Sequence, residues 1–344
     1  MSIGIVYDPV YLEHDTGPHC EVARRLETTI SHLKNTKVMD KLVSIPARPA
    51  TLNELTRVHS EAYIKYVEDF TARGGGHLDP DTAVSTGSYK AALYAAGGLI
   101  NAVDAVIDGD IRYSFALVRP PGHHALRWEA MGFCLFNNVA VAARHLIADR
   151  GLQRVMIIDF DVHHGNGTQD EFYREREVLY FSTHQYPFYP GSGWIDEIGE
   201  GVGAGYTVNV PLPAYCGDEE YLRAFEEILV PVAKRFRPQI VLVSAGYDAH
   251  WADSISMMQV SSSGYAAMNR IIKGLADELC EGKLAYALEG GYNLEALATS
   301  VRATIDVLLS SKKVADPLGE ARSRYSIPDI DARLQEIKKN QHLD

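Results

Sequence analysis

The chain has 344 residues, of which 46% are hydrophobic, and this is enough for the buried core of one large α/β enzyme domain. Its net charge of −12 argues against nucleic-acid binding, which needs a basic surface. The charge would favour cationic partners such as lysine-rich peptides or polyamines, although solubility is the simpler explanation. No segment reads as a membrane span of about 20 apolar residues, and the N-terminus has no signal-peptide pattern, so we expect neither membrane contact nor secretion.

The cysteines are scattered and show no CxxC spacing. This pattern indicates reduced, mostly buried thiols and therefore a cytoplasmic protein. The four positions are Cys20, Cys134, Cys216 and Cys280.

Short apolar runs alternate with helical patterns along the chain, which predicts a mostly parallel sheet covered by helices on both faces. Eight strands are predicted, over 2–6, 41–45, 113–117, 154–159, 178–182, 206–210, 239–244 and 284–288. Five helices are predicted, over 89–106, 136–148, 219–236, 261–279 and 294–309. No linker or repeat divides the chain, so we expect one domain over 1–344, with a polar C-terminal extension from about 311 to 344 lying on the surface.

Two long connections, 119–133 and 184–205, are rich in Gly, Pro, His and aromatic residues, and loops of this length in a compact domain are usually functional. The first contains Arg119-Pro-Pro-Gly and then His123 and His124. Paired imidazoles can supply a general base and an electrostatic helper. A rigid turn with surface histidines is the alternative.

Acidic residues and histidines follow two of the predicted strands. Asp159, Asp161, His163 and His164 come after VMII, and Asp248 comes after IVLVSAGY. In open α/β sheets, ligands bind beyond the carboxyl ends of the strands. One imidazole nitrogen with two carboxylate oxygens leaves coordination room for water or substrate, which is typical of a catalytic metal.

The last predicted strand ends in a Leu-Glu-Gly-Gly-Tyr-Asn segment, residues 288–293. Two glycines permit close approach of a ligand, and the hydroxyl of Tyr292 could then stabilise an oxyanion. A tyrosine packed in an ordinary turn is the alternative. Aromatic residues on the long loops suit a narrow apolar tunnel, although they could simply anchor those loops.

Together and in order, six motifs resemble those of the histone deacetylase and acetylpolyamine amidohydrolase superfamily, from about residue 5 to about residue 310. The motifs are RPPGHHA, GFCLFNNVAVAA, DFDVHHGNGTQ, YPGSG, SAGYDAH and LEGGYN. Asn166 and Glu289 favour the class II and bacterial branch. The resemblance implies an arginase-like three-layer α/β/α fold with a central eight-stranded, mainly parallel sheet.

Carried over by position, the resemblance assigns a role to each motif. It makes Asp161, His163 and Asp248 the zinc ligands, although this donor set would also accept Fe²⁺ or Co²⁺. It makes His124 the general base and His123 its helper, with Asp159 behind His123, Asn166 behind His124, and Tyr292 stabilising the transition state. It implies a first potassium site at Asp159, Asp161, His163, Ser182 and Thr183, and a second at Phe172, Glu175, Val178 and Tyr206. It places Gly132, Phe133, Tyr189, Ile255, Gly290 and Gly291 along the substrate tunnel.

The expected activity is zinc-dependent removal of acetyl or other acyl groups from lysine side chains of proteins or peptides. Polyamine-specific relatives carry an acidic residue where this chain has Ile255, and an apolar residue there gives a dication no partner and favours acyl-lysine. An acetylpolyamine or other small acetylated amine is the alternative substrate. A non-catalytic acyl-lysine binder is a third reading, and the complete set of catalytic residues speaks against it. The sequence does not decide whether the protein forms a homo-oligomer.

Overall fold

The centre of the molecule is an eight-stranded sheet. In this computed structural model the described residues are 2–321, 326 and 328–343. Ten strands are present among them: β1 (Ile3–Val6), β2 (Val43–Ile45), β3 (Gly76–His77), β4 (Ala83–Val84), β5 (Tyr113–Ala116), β6 (Val155–Asp159), β7 (Val178–Gln185), β8 (Thr207–Leu212), β9 (Ile240–Ala245) and β10 (Leu284–Leu288). The short strands β3 and β4 form a separate antiparallel pair.

The main sheet has the order β2-β1-β5-β10-β9-β6-β7-β8. Its pairings are all parallel, and Asp159 at the end of β6 is in register with Ser182 on β7 and Ser244 on β9. Every residue of β6, β7, β8, β9 and β10 is buried, because helices cover both faces and the strands need no polar side. The eight predicted strands are therefore confirmed, and the sheet is wholly rather than mainly parallel.

The helices complete the predicted three layers. They are α1 (Arg24–Asn35), α2 (Leu52–Leu55), α3 (Glu61–Ala72), α4 (Ser88–Ile107), α5 (Asn138–Ala148), α6 (Asn166–Phe172), α7 (Asp218–Ala224), α8 (Val230–Phe236), α9 (Ser262–Leu279), α10 (Leu294–Leu308) and α11 (Asp331–Asn340). Helix α4 packs on α5, whereas α1, α10, α9 and α8 pack in succession. The single helix predicted over 219–236 is two helices joined by a π-helical turn, Phe225–Leu229.

Helix α4 corrects one expectation from the sequence. It has the length and apolar composition of a membrane span, and within the described part of the chain it alone does. Its small residues, among them Ala95 and Gly98, are buried, and the helix packs against β1, β5 and β10. Alanine and glycine let the helix approach the sheet closely, so packing accounts for its apolar surface.

The C-terminal extension contains helix α11, which the sequence did not predict. This helix lies along the edge strand β8: Arg333 donates to the carbonyl of Pro211 at 2.7 Å, and Gln341 donates to that of Thr207 at 2.9 Å. Covering an edge strand in this way protects its unpaired backbone groups. Residues 322–325, 327 and 344 of the extension lie outside the described residues.

Candidate active site

Five loops that carry the sequence motifs meet at one edge of the sheet. The strands β5, β10, β9, β6 and β7 are consecutive neighbours, and all of them are parallel. Their carboxyl ends therefore lie side by side, and the motifs that follow them are brought together although up to 170 positions separate them in the chain.

Asp161, His163 and Asp248 converge on one buried point. The Nδ1 atom of His163 lies 3.1 Å from Oδ1 of Asp161 and 3.2 Å from Oδ2 of Asp248. The other oxygen of each carboxylate accepts a backbone N–H, from Gly290 to Asp161 at 2.8 Å and from Val162 to Asp248 at 2.9 Å. These contacts aim one oxygen of each aspartate at the shared point.

The donor set fits a divalent cation. Oδ2 of Asp248 is buried, and among the described residues it makes no hydrogen bond beyond its 3.2 Å contact with Nδ1 of His163, which Asp161 shares, although a buried anionic oxygen normally requires a partner of its own. The three candidate ligand atoms lie within 4.8 Å of one another, and all three residues are buried. A cation held by one nitrogen and two oxygens would satisfy this oxygen and keep coordination room for water or substrate.

Charge interactions within this group shift the pKa values in opposite directions. Burial and the neighbouring Asp161 raise the pKa of Asp248 to about 6. Burial would also raise the pKa of Asp161, but the charges of His123 and His163 outweigh it and hold the pKa below its ordinary range. Burial would lower the pKa of His163, but its contacts with the two aspartates raise it to about 9. A bound cation would replace the proton that these groups share.

The tandem histidines have different partners and different charge states. Nδ1 of His123 lies 3.1 Å from Oδ2 of Asp159, whereas Nδ1 of His124 lies 2.7 Å from Oδ1 of Asn166. Burial would lower the pKa of His123, but Asp159 and Asp161 outweigh it and raise it to about 10. Burial and the nearby His123 hold the pKa of His124 well below its usual value. His123 is therefore charged and His124 neutral near pH 7.

Tyr292 lies on the loop that follows β10, with its ring between two side chains. The guanidinium carbon of Arg25 is 4.9 Å from the ring centroid, and Phe133 contacts the ring edge-on at 5.8 Å between centroids. Burial raises the pKa of Tyr292 well above its usual value, and the carboxylates of Asp248 and Asp161 raise it further. The phenol is therefore a hydrogen-bond donor at any physiological pH.

Aromatic side chains line the approach to the candidate metal ligands. Tyr189 contacts His124 edge-on at 5.3 Å, and Phe188 stacks on His163 at 5.2 Å. Phe133 adopts a positive φ of 68° directly after Gly132, whose absent Cβ would lie 2.4 Å from the His124 ring. The structure thus brings Gly132, Phe133 and Tyr189 to the site as predicted, and adds Phe188 to them.

Ile255 and the two glycines of the β10 loop are also at this edge of the sheet. Ile255 is half-buried against the core, and its N–H donates to Asp253. A Cβ on Gly290 would lie 2.1 Å from Oδ2 of Asp248, so only glycine fits beside the candidate metal ligands. Gly291 has a φ of +114°, a conformation that favours glycine.

The residues of the first predicted potassium site are close together. Asp159 and Ser182 are paired across β6 and β7, and the buried Thr183 hydroxyl has no hydrogen-bond partner among the described residues. The hydroxyl of Ser182 is 2.9 Å from Nδ1 of His184. The assignment of this site remains a prediction.

The second predicted potassium site lies at the opposite edge of the sheet, where β7 and β8 begin. The carboxylate of Glu175 is occupied by Arg144, with N–O distances of 2.6 and 2.8 Å. The carbonyls of Phe172 and Tyr206 each accept one backbone N–H. A cation at Phe172, Glu175, Val178 and Tyr206 would therefore have to use main-chain oxygens, and this site also remains a prediction.

Two buried carboxylates support the site, and the sequence analysis gave neither of them such a role. Glu289 accepts the N–H groups of Gly122 and His123 at 2.7 and 3.2 Å, and the hydroxyl of Ser244 donates to its other oxygen at 3.1 Å. Asp253 accepts the N–H of Tyr292 at 2.6 Å. The available signal was weak: Glu289 directly follows a wholly buried strand, where a carboxylate needs partners.

Comparisons with known proteins agree with this geometry. The family model for the histone deacetylase domain matches residues 19–308. A probable deacetylase of Archaeoglobus fulgidus is 41% identical over 298 residues, which cover 86% of this chain and 82% of that protein. Histone deacetylase 14, chloroplastic, of Arabidopsis thaliana is 40% identical over 335 residues, which cover 92% of this chain and 79% of that protein. The crystal structure of the HDA15 HD domain superposes with a TM-score of 0.88 at 37% identity, covering 99% of this chain and 96% of that one.

Proposed function

The chain belongs to the histone deacetylase family, and from this premise we propose that it is a zinc-dependent enzyme that removes acetyl or other acyl groups from lysine side chains of proteins or peptides. The predicted family, its arginase-like fold and a hydrolase acting on acetyl amides are confirmed by the comparisons. The metal, the mechanism and the substrate are our proposal. The observation that carries it is geometric: two buried aspartates and one buried histidine place three ligand atoms within 4.8 Å of one another, and the ring of His124 lies beside that of His163.

Asp161, His163 and Asp248 would hold the metal. When bound, zinc polarises the amide carbonyl and acidifies a water molecule, whose pKa such a site can bring from 15.7 to about 7. The mixed oxygen and nitrogen donors would also accept Fe²⁺ or Co²⁺, so the metal used in the cell depends on availability as well as on the ligands.

His124 would accept the proton of the attacking water and pass it to the leaving amine. Because the Asn166 Oδ1 atom can only accept, Nδ1 of the neutral His124 ring carries the hydrogen, and Nε2 is left free to take a proton. His123 is charged and paired with Asp159, so it can position the water and offset negative charge but cannot act as a base.

Tyr292 would donate its hydroxyl to the oxyanion that develops on the amide carbonyl. Its strongly raised pKa keeps the proton on the phenol, as a donor requires. Such a donor typically contributes about 100- to 1,000-fold to the rate. Phe133 and Arg25 hold the ring from two sides, so little reorganisation is needed when charge develops.

Acyl-lysine suits the walls of the site, because Phe133, Phe188 and Tyr189 offer an apolar passage for a four-carbon side chain. Half-buried Ile255 offers no charge to the far end of a polyamine. One observation favours the second candidate, an acetylated polyamine: Asp79 and Asp81 are near enough to Tyr189 for their charge to raise the pKa of its phenol, which burial already raises. The same acids would attract a lysine-rich peptide.

A cytoplasmic location is also proposed, together with structural potassium. The location is supported by four free cysteines, of which Cys134, Cys216 and Cys280 are buried. The potassium proposal is supported by the buried Thr183 hydroxyl beside Asp159 and Ser182, which has no hydrogen-bond partner in the described part of the chain.

The test is a fluorogenic acetyl-lysine assay on the purified protein, before and after chelation and after addition of Zn²⁺, Fe²⁺ or Co²⁺. We expect activity to disappear on chelation and to return with metal. Asp248→Ala should lose both metal and activity, and one zinc per chain in that variant would overturn the ligand assignment. Acetylputrescine and longer acyl-lysines assayed in parallel decide between the two substrate classes.

A further inference from the structure

Asp253 lies on the same loop as Asp248, against the loop that carries Tyr292, and the mechanism above does not use it. Its side chain is only 4% exposed. Oδ2 accepts the N–H groups of Tyr292 at 2.6 Å and Asn293 at 2.9 Å, and Oδ1 accepts the N–H of Ile255 at 3.1 Å. The bonds from Tyr292 and Asn293 therefore join this loop to the Tyr292 loop, and the bond from Ile255 fixes the carboxylate within its own loop.

The Tyr292 loop needs such a partner because it follows two glycines. Gly291 has a φ of +114°, and glycine has the largest conformational freedom to lose when a loop becomes ordered. Arg25 binds the carbonyl of Gly291 at 2.6 Å, which restrains the loop before the tyrosine. The N–H of Tyr292 itself is held by Asp253, so this carboxylate sets where the tyrosine side chain begins.

The other end of the same carboxylate is tied to the metal-ligand loop. Ile255 donates to Oδ1 of Asp253, and the hydroxyl of the next residue, Ser256, donates to the carbonyl of Asp248 at 2.7 Å. Asp253 therefore helps to set the separation between the tyrosine and the candidate metal ligand, together with the Asn293 side chain, which donates to the carbonyl of Ala252 at 2.8 Å. A displacement of about 1 Å at a catalytic group can cost about 100-fold in rate.

We propose that Asp253 is a positioning residue for catalysis, which acts by holding Tyr292 against the metal-ligand loop; this rests on the deacetylase function proposed above. The competing explanation is that Asp253 only anchors the start of helix α10. That start already has a cap, because Oδ1 of Asn293 accepts the N–H of Ala296 at 3.1 Å. A second cap would not require the bond to the N–H of Tyr292, which precedes the capping residue.

Asp253→Asn separates the two explanations. An amide has one acceptor oxygen, so it can satisfy the Tyr292 side or the Ile255 side, and its NH₂ group then faces an N–H on the other. We expect kcat for acetyl-lysine to fall by about 10- to 100-fold. KM should change by less than about twofold, because Tyr292 acts on the transition state, and zinc content should stay at the wild-type level.

A double-mutant cycle with Tyr292→Phe provides the readout that an anchoring role would not change. If Asp253 acts through the tyrosine hydroxyl, Asp253→Asn should lower kcat by less than about threefold once that hydroxyl is absent. An anchoring role predicts that the two losses multiply. Should Asp253→Asn not fold, Asp253→Glu takes its place, since it keeps both oxygens and displaces them by one methylene.

Asp218→Asn is the matched control. Asp218 accepts the N–H and the hydroxyl of Ser261 at 2.7 and 2.6 Å at the start of helix α9, so it makes the same kind of contact away from the tyrosine. It should lower thermal stability and leave kcat within about twofold of wild type. Wild-type kcat in Asp253→Asn, or multiplicative losses in the cycle, would overturn the positioning role. An unimpaired Tyr292→Phe would instead overturn the proposed mechanism.

Discussion

Gly290→Ala tests the candidate metal site by the smallest possible addition. The new methyl group would lie 2.1 Å from Oδ2 of Asp248 and 2.6 Å from Oδ2 of Asp161. The φ of Gly290 is outside the left-handed region, so alanine can adopt this backbone without strain. The substitution therefore acts through steric contact with the two carboxylates.

The size of the effect follows from these distances. To reach even 3.0 Å from the methyl carbon, Oδ2 of Asp248 must retreat by about 0.9 Å. Metal–ligand distances tolerate deviations of only about 0.2 Å. One of the three protein ligands is therefore lost, and we expect zinc to fall to a small fraction of one ion per chain and kcat/KM for acetyl-lysine to fall by at least about 100-fold.

Metal analysis by inductively coupled plasma mass spectrometry and the fluorogenic assay measure both outcomes. Gly274→Ala is the control, because its Cβ would meet nothing within 4 Å on helix α9. That control should keep full zinc and activity and gain up to about 1 kcal/mol in the free energy of unfolding. A Gly290→Ala protein with one zinc per chain and wild-type kcat/KM would refute the geometry assigned to the two carboxylates.

Three further predictions concern other buried groups. Burial lowers the pKa of His59 to about 4, and its ring lies between the Leu126 carbonyl and the Asn137 N–H, so the folded state resists protonation of this histidine. The contribution of His59 to the free energy of unfolding should be complete above pH 6.5 and fall by about 3 kcal/mol towards pH 4. Urea titrations should show a smaller loss over this pH range in His59→Gln. Glu21→Gln should lower the free energy of unfolding by about 3–5 kcal/mol in the same assay. It removes the negative charge of the only carboxylate among the described residues that forms an ion pair with Arg119, at 2.6 Å, and with Arg25, at 2.8 Å. A change below about 1 kcal/mol would contradict this. Asn166→Asp places a negatively charged carboxylate beside Nδ1 of His124 and should raise the pKa of His124. The acidic limb of the kcat–pH profile should then move to higher pH by about one unit or more, and an unmoved limb would remove His124 as the base.

The central sheet could be predicted from the sequence because all of its strands except the edge strand β2 are buried on both faces. Apolar residues predominate in these short runs, so all eight strands were found within a few residues of their observed limits. Helices α1, α2, α3, α6 and α11 were missed. Helix α11 buries only Leu334 and Ile337 within a polar segment, and so its apolar pattern is too sparse to be distinguished from a surface tail.

The groups proposed to touch substrate or metal could be found for a different reason. Asp161, His163 and Asp248 follow apolar strands, where buried charge is costly unless it binds something. Their meeting at one point confirms that the strand ends are adjacent, and the metal itself remains a proposal.

Glu289 and Asp253 are of another kind, because most of their partners are backbone N–H groups, up to 167 positions away. Every non-proline residue carries such a donor, so no residue type or spacing marks the partner in the sequence. What the sequence does show is an acid that must be buried if the neighbouring strand is, as for Glu289 directly after Leu288. A buried acid beside a catalytic motif therefore predicts that its carboxylate binds the backbone of a neighbouring loop. The double-mutant cycle on Asp253 measures how much of the catalytic rate depends on that contact.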